Sequence, residues 1–180
     1  MGSRSGRSAQ ANGAGNFTIW VHGFYAFRRY RTQLAPCSGA MGYGVPAAVA
    51  AKVLHPDRIV VCVAGDGDFL MSGHELAAAA QEGAAVVVLL VNNSMYGTIR
   101  MHQERQFPGR VIGTGLVNPD FVALAAAYGA HAERVERSED FAEAFERALA
   151  AGRPALLELR VDPEAITPGA TLSAIRAGTA

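Results

Sequence analysis

The stretch IVVCVAGDGD (residues 59–68) decides the fold, because a short apolar run passes directly into a glycine-flanked acidic turn. A second stretch, VVVLLVNNS (residues 86–94), passes in the same way from apolar to amide side chains. Runs of this length predict two short buried strands, and the alanine-rich segment between them predicts a helix. Strand, helix and strand form a βαβ unit, whose parallel strands end at one edge of a sheet. Open α/β sheets bind their ligands at that edge.

Two polar side chains stand where these strands end, and the topology predicts that they are neighbours. Asp66 offers carboxylate oxygens and Asn93 offers an amide oxygen, a pair that suits Mg²⁺ with phosphate and water oxygens completing the octahedron. Gly65 and Gly67 would let the backbone approach a diphosphate group. A purely structural pair of turns is the alternative at this point, because Asp-Gly and Asn-Asn are ordinary turn sequences.

The remainder of the chain continues the alternation of helices and strands. Helices are predicted after Gly44 and Asn118, and further strands at residues 131–135 and 155–161. This alternation predicts an α/β fold with a doubly wound, mostly parallel sheet that carries helices on both faces. We expect a flexible N-terminal tail at residues 1–16, one domain at 17–162 and a C-terminal arm at 163–180.

Composition excludes several classes of function. The 180 residues carry 16 basic and 16 acidic side chains, so there is no global basic field to attract nucleic acid. The apolar stretches are too short to span a membrane, and two cysteines define no disulfide framework, so a cytoplasmic location is expected. The sequence has no P-loop motif, and no Gly-x-Gly-x-x-Gly follows a strand.

Three motifs together carry a resemblance to a known family. They are SGAMGYGVPAA (residues 38–48), Gly-Asp-Gly at 65–67 and Asn-Asn at 92–93. In order and spacing they resemble the signature of thiamine-diphosphate-dependent enzymes, and in particular the C-terminal diphosphate-binding domain of the acetolactate synthase-like family. The resemblance extends from about Tyr30 to Val161. It implies thiamine diphosphate and Mg²⁺ as cofactors.

The resemblance also implies roles for individual residues. It makes Asp66, the Asn93 side chain and the Met95 backbone carbonyl the Mg²⁺ ligands, places Met41 beneath the bent cofactor and assigns the Gly39 carbonyl to its 4′-amino group. The other implied cofactor contacts are Ala40, Gly65, Gly67, Asp68, Tyr96, Gly97 and Thr98.

Two positions depart from the family pattern, and one nearby pair is expected to be unimportant. Asp68 replaces a residue that is usually small or hydroxylic, and we expect its carboxylate to cap the following turn. Ile99 stands where pyruvate decarboxylases carry a catalytic acid, which favours a carboligase over a simple decarboxylase. Glu104 and Arg105 are expected to form a surface ion pair of little energetic value.

In this family the active site lies between the diphosphate-binding domain and a pyrimidine-binding domain that supplies a catalytic glutamate. Nothing in the sequence resembles that second domain, and no catalytic residue is assigned here. The expected function is one half of a 2-keto acid carboligase or decarboxylase, active only with a partner chain or within a homo-oligomer. A truncated, non-catalytic cofactor-binding protein and an assembly module that joins an intact relative are the alternatives.

Overall fold

The computed structural model describes residues 8–178. Within them a parallel sheet and a short antiparallel pair are formed by the strands β1 Ser8–Asn12, β2 Gln33–Leu34, β3 Ile59–Gly65, β4 Val86–Asn92, β5 His131–Val135, β6 Ala155–Arg160, β7 Ala165–Thr167 and β8 Ala170–Thr171. The α-helices are α1 Phe17–Phe24, α2 Gly44–Leu54, α3 Asp66–Phe69, α4 Glu75–Gln81, α5 Gly97–Gln106, α6 Phe121–Ala127, α7 Phe141–Ala150 and α8 Leu172–Arg176. None of the helices in this described range is long and apolar enough to cross a membrane.

The central sheet has the strand order β2-β1-β3-β4-β6-β5, and every neighbouring pair is parallel. Strands β3 and β4 are direct neighbours, with Gly65 opposite Val91. The turns that follow these two strands therefore lie side by side at the carboxyl edge, as the sequence predicted. The predicted doubly wound α/β fold is confirmed.

Side chains alternate between the two faces of each strand, and both faces are covered by helices. Val60, Cys62 and Val88 belong to the larger core, which includes the buried side chains of α2, α4 and α6. Val87 and Leu157 face the other way and belong to a second core that includes α7. Helix α1 lies on this second face, where it borders a groove together with α7.

The N-terminal segment differs from the sequence expectation. Residues 1–16 were expected to form a flexible tail, yet Ser8–Asn12 is a strand of the sheet, inserted between β2 and β3. Ala9 and Ala11 belong to the larger core. The expectation is therefore wrong for residues 8–12, because backbone pairing on both sides stabilises a segment with weak intrinsic strand preference. Residues 1–7 lie outside the described range.

The C-terminal arm packs on helix α5 through a small apolar cluster formed by Met101, Ile166, Leu172 and Ile175. An ionic contact accompanies it. Glu104 is fully buried, and Arg176 of α8 donates to its carboxylate through Nε at 2.9 Å and a terminal nitrogen at 2.8 Å. The expected surface pair of Glu104 with Arg105 is therefore wrong, because the arm covers this side of α5.

Candidate functional site

A cavity that is partly open to solvent lies at the carboxyl edge of the sheet. It is bordered by the ends of β3 and β4 and by the starts of α1 and α5. The cavity wall contains ten of the residues implicated by sequence, which are Met41, Gly65, Asp66, Gly67, Asp68, Asn93, Met95, Tyr96, Gly97 and Thr98. Gly39 and Ala40 do not line it and lie exposed in the loop before α2.

Asp66 is one of two buried carboxylates of the site, with 2 % of its surface exposed, and Asp68 is the other. Its Oδ1 accepts a hydrogen bond from the Gly67 amide at 2.9 Å, and its Oδ2 accepts one from the Asn118 side chain at 2.7 Å. Burial raises the pKa of Asp66, while these hydrogen bonds lower it. Among the described residues no Lys, Arg or His pairs with this carboxylate, so a bound cation would compensate its charge.

Asn93 and Met95 lie on a turn that is held by backbone pairing. The Asn93 Oδ1 accepts a hydrogen bond from the Met95 amide at 3.2 Å. Tyr96 donates its backbone amide to the Thr114 carbonyl, and Leu116 donates to the Ser94 carbonyl, each at 2.9 Å. The loop that follows α5 thus holds this turn in place, and Asn93 lines the same cavity as Asp66.

Asp68 does not cap the turn that follows it. Its Oδ1 accepts hydrogen bonds from the Gly42 amide at 2.7 Å and the Ala14 amide at 3.4 Å. The carboxylate therefore links the loops that precede α1 and α2, and the capping prediction is wrong. Burial raises the pKa of Asp68 to about 6, while the two amides act in the opposite direction.

The connection from β1 to α1 adds residues to the cavity that the sequence analysis missed. Ala14, Gly15, Asn16 and Phe17 all line the wall. A Cβ at Gly97 would lie 2.4 Å from the Asn16 Oδ1, so a larger residue at position 97 would require the Asn16 side chain to move. The glycines at 13 and 15 could have indicated a ligand-binding loop before α1. The segment before them contains no apolar run, so nothing in the sequence indicated a strand leading into that loop.

The cavity has the electrostatics of an anion site beside a cation site. Helices α1 and α5 both begin at its wall, and the first amides of a helix have no partner inside the helix and carry partial positive charge. Nowhere in residues 8–178 do three His, Cys, Asp or Glu side chains cluster to hold a metal. A cation here would need amide, carbonyl and phosphate oxygens beside Asp66, which is the donor set that Mg²⁺ uses with a bound diphosphate.

These features define a class of cofactor-binding α/β domain. In this class an acidic turn and an amide turn lie side by side at the edge of a parallel sheet, and helices begin next to them. Comparison with known families identifies the class further. Residues 13–159 match the family model described as thiamine pyrophosphate enzyme, C-terminal TPP binding domain. The chain belongs to this family, and thiamine pyrophosphate is another name for thiamine diphosphate.

Curated relatives include several acetolactate synthases. The chain is 32 % identical to a probable acetolactate synthase large subunit of Methanococcus aeolicus, covering 89 % of this chain and 28 % of the relative. It is 36 % identical to the mitochondrial acetolactate synthase catalytic subunit of Aspergillus candidus, covering 83 % of this chain and 22 % of the relative. The chain thus spans about a quarter of the length of these relatives.

Solved structures show the same fold. A thiamine diphosphate-dependent 4-hydroxybenzoylformate decarboxylase of Rhodococcus jostii RHA1 superposes with a TM-score of 0.81 at 33 % identity, covering 88 % of this chain and 31 % of that one. The benzoylformate decarboxylase of Polynucleobacter necessarius superposes with a TM-score of 0.80 at 24 % identity, covering 87 % and 30 % respectively. The chain therefore shares the fold of these two enzymes, in agreement with its membership of the C-terminal TPP binding domain family.

Proposed function

We propose that this chain binds the diphosphate end of thiamine diphosphate together with Mg²⁺. The observation that carries the proposal is the position of Asp66 and Asn93 at adjacent strand ends in one cavity wall. Asp66 is buried without a cationic partner in the described part of the chain, so it presents an uncompensated charge to that cavity. The Met95 carbonyl is the proposed third ligand, because it follows Asn93 on the same turn.

The protein's part in this function is to bind and orient. The first amides of α5, at Gly97 and Thr98, lie at the cavity wall and would donate to phosphate oxygens. Met41 lies at the cavity wall, where it would support the bent cofactor. When bound, thiamine diphosphate supplies an electron sink for carbanion chemistry. The buried apolar side chain of Phe17 helps to exclude water from the cavity wall.

The reaction class proposed for the complete enzyme is carboligation or decarboxylation of a 2-keto acid. Two similarities support it, namely the relatives that are named acetolactate synthases and the solved structure that is named a 4-hydroxybenzoylformate decarboxylase. Ile99 favours carboligation, because an apolar residue stands at the cavity wall in the position where pyruvate decarboxylases carry an acid.

We further propose that the active site is completed by a pyrimidine-binding domain of a partner chain or of a second copy in a homo-oligomer. Apolar side chains close to the cavity in sequence or at its wall are exposed, including Leu70, Met71, Ile99 and Val117 with 43, 50, 50 and 103 % exposure. A partner domain packed over the cavity would cover side chains in these positions. The family's catalytic glutamate is expected from that partner.

Titration calorimetry with thiamine diphosphate, with and without Mg²⁺, tests the proposal. We expect weak binding by the 180-residue chain that requires Mg²⁺, and no turnover of pyruvate. Asp66→Ala and Asn93→Ala should each abolish the Mg²⁺-dependent binding. The matched control is Asp57→Ala, because Asp57 is exposed and precedes β3, at the opposite edge of the sheet.

Unchanged affinity in the Asp66 and Asn93 variants would refute the site assignment, and robust turnover by the chain alone would refute the requirement for a partner. Binding without turnover that persists after addition of pyrimidine-domain partners would instead favour a non-catalytic cofactor-binding or assembly module.

A further inference from the structure

Asn118 joins the ends of the two strands that carry the proposed cation ligands. It lies in the loop between α5 and α6, and its side-chain nitrogen donates to the Asp66 Oδ2 at 2.7 Å and to the Asn92 Oδ1 at 3.0 Å. Asp66 follows β3, and Asn92 is the last residue of β4. One amide group therefore bridges the two strand ends.

The hydrogen-bond partners determine the orientation of this amide. An ionised carboxylate only accepts hydrogen bonds, so the atom of Asn118 that faces Asp66 is its nitrogen. Asn92 is oriented in the same way, because its nitrogen donates to the Glu158 carboxylate at 2.7 Å and its oxygen accepts the Ser94 amide at 3.0 Å. The contacts form a continuous chain of hydrogen bonds, in which Asn118 donates to Asp66 and to Asn92, and Asn92 donates to Glu158.

The far end of this chain is rigidly held. Glu158 is buried on β6 with 1 % exposure and accepts a hydrogen bond from the Arg134 Nε at 2.8 Å. Ser94, which donates its amide to the Asn92 oxygen, has a φ of 57°. Asn92 thus stabilises the turn that presents Asn93 and Met95, and Asn118 couples that turn to the Asp66 carboxylate.

The coupling matters because Mg²⁺ tolerates little deviation from octahedral geometry. The Gly67 amide holds one oxygen of Asp66 and Asn118 holds the other, so both together set the plane of the carboxylate. Each oxygen keeps a lone pair for a cation. The Asn118 Oδ1 is buried and has no hydrogen-bond partner among the described residues, so Asn118 also offers an unused acceptor beside the site.

We propose that Asn118 is a positioning residue of the cation site, which orients Asp66 relative to the Asn93 turn so that the two can bind one Mg²⁺. The proposal rests on the proposed function, since it concerns the same metal. It assigns Asn118 no direct bond to the metal. Groups that orient metal ligands typically change metal affinity about tenfold to a hundredfold when they are removed.

Calorimetry on the full 180-residue chain tests this role, with the divalent cation titrated at saturating thiamine diphosphate. Asn118→Ala should raise the dissociation constant for Mg²⁺ by about tenfold to a hundredfold. The constant for Ca²⁺ should change much less, because Ca²⁺ accepts irregular coordination. Asn118→Ser keeps one donor on a shorter side chain and should give an intermediate loss of Mg²⁺ affinity.

Asp120→Ala is the matched control for a general effect on this loop. The Asp120 side chain accepts the Val122 and Ala123 amides at the start of α6 and lies 3.5 Å from an Arg134 terminal nitrogen, whereas Arg134 holds Glu158 through its Nε. Its loss therefore weakens the same segment without removing a contact to Asp66 or Asn92. We expect this variant to lower stability and to leave the Mg²⁺ to Ca²⁺ affinity ratio unchanged. Circular dichroism confirms folding, and Asn118→Ser carries the test if Asn118→Ala does not fold.

The outcomes separate this inference from the proposed function. Removal of a group that orients a metal ligand usually changes metal affinity about tenfold or more. If the Asn118 variants bind Mg²⁺ within about twofold of the unmodified chain, the positioning role is overturned and the proposed function is not. An equal loss for Mg²⁺ and Ca²⁺ would have the same consequence. If the unmodified chain shows no Mg²⁺-dependent binding, the proposed function fails and the positioning role fails with it.

Discussion

Replacing Glu104 by glutamine tests whether the C-terminal arm is held to helix α5 by charge. The Glu104 carboxylate is fully buried and accepts hydrogen bonds on both oxygens. Oε1 accepts from Arg100 at 3.0 Å and from Arg176 at 2.8 Å, and Oε2 accepts from Arg176 and from the Gly109 amide, each at 2.9 Å. Glutamine keeps the shape of the side chain, but it removes the charge and replaces one acceptor with a donor.

The size of the effect follows from burial. Removing one partner of a buried ion pair typically costs about 3–5 kcal/mol. The side chains of Arg100 and Arg176 are 19 and 42 % exposed, so water can partly solvate them after the change. We therefore expect the lower end, about 3 kcal/mol, which for a domain of this size lowers the melting temperature by about 6–12 °C.

The pKa of Glu104 predicts how this loss depends on pH. The two arginines and the Gly109 amide lower the pKa of Glu104 from 4.5 to about 2. Because the folded-state pKa lies below the unfolded one, the stabilisation is fully present above pH 4.5 and is lost as the pH falls towards 2. The gap between the unmodified chain and Glu104→Gln should therefore shrink on acidification.

Thermal melts followed by circular dichroism near pH 7 and near pH 3 measure both effects. Glu82→Gln is the control, because Glu82 is an exposed glutamate at the end of α4, and it should change the melting temperature little. The loss of a buried pair should lower the melting temperature of Glu104→Gln by roughly 6–12 °C at pH 7. A decrease in melting temperature of about 1 °C or less would refute the ionic role. A gap as large at pH 3 as at pH 7 would refute the pKa argument.

Two further predictions concern packing. Gly44→Ala should lower the melting temperature, because its Cβ would lie 2.6 Å from the Gly13 backbone nitrogen and overpacking costs about 1–3 kcal/mol; the control Gly23→Ala, in helix α1 with no atom within 4 Å, should not lower it. In a thiol titration without denaturant, the exposed Cys37 should react, whereas Cys62 should react only after unfolding, since burial raises the pKa of its thiol. Reaction of both thiols at similar rates in the native state would contradict the latter.

The sequence determined the central βαβ unit and the sheet edge at which the proposed site lies. Strands β3 and β4 are continuous apolar runs, as expected for strands buried on both faces. Because the two strands are parallel, the residues that follow them must lie at the same edge of the sheet. Asp66 and Asn93 could therefore be placed together from local pattern alone. The resemblance to the thiamine-diphosphate family then supplied the chemistry that the pattern left open.

The tertiary structure decided what depends on contacts between distant segments. The sequence SAQAN (residues 8–12) has little strand preference, and it becomes β1 because β2 and β3 pair with it on both sides. Asp68 is a residue type that often caps turns, but in the folded chain its carboxylate accepts hydrogen bonds from the amides of Gly42 and Ala14 instead. Glutamate usually lies at the protein surface, but α8 covers Glu104 and buries its side chain.

Asn118 illustrates the same difference between what the sequence predicts and what only the tertiary structure shows. Its position in the sequence is that of an ordinary loop residue, with no motif around it that names a role. Only folding brings its amide to the ends of both β3 and β4. Local sequence pattern thus determined which strand ends carry the proposed ligands, because side-chain periodicity and chain direction are local properties. The partners that hold those ligands are non-local, and only the tertiary structure could identify them.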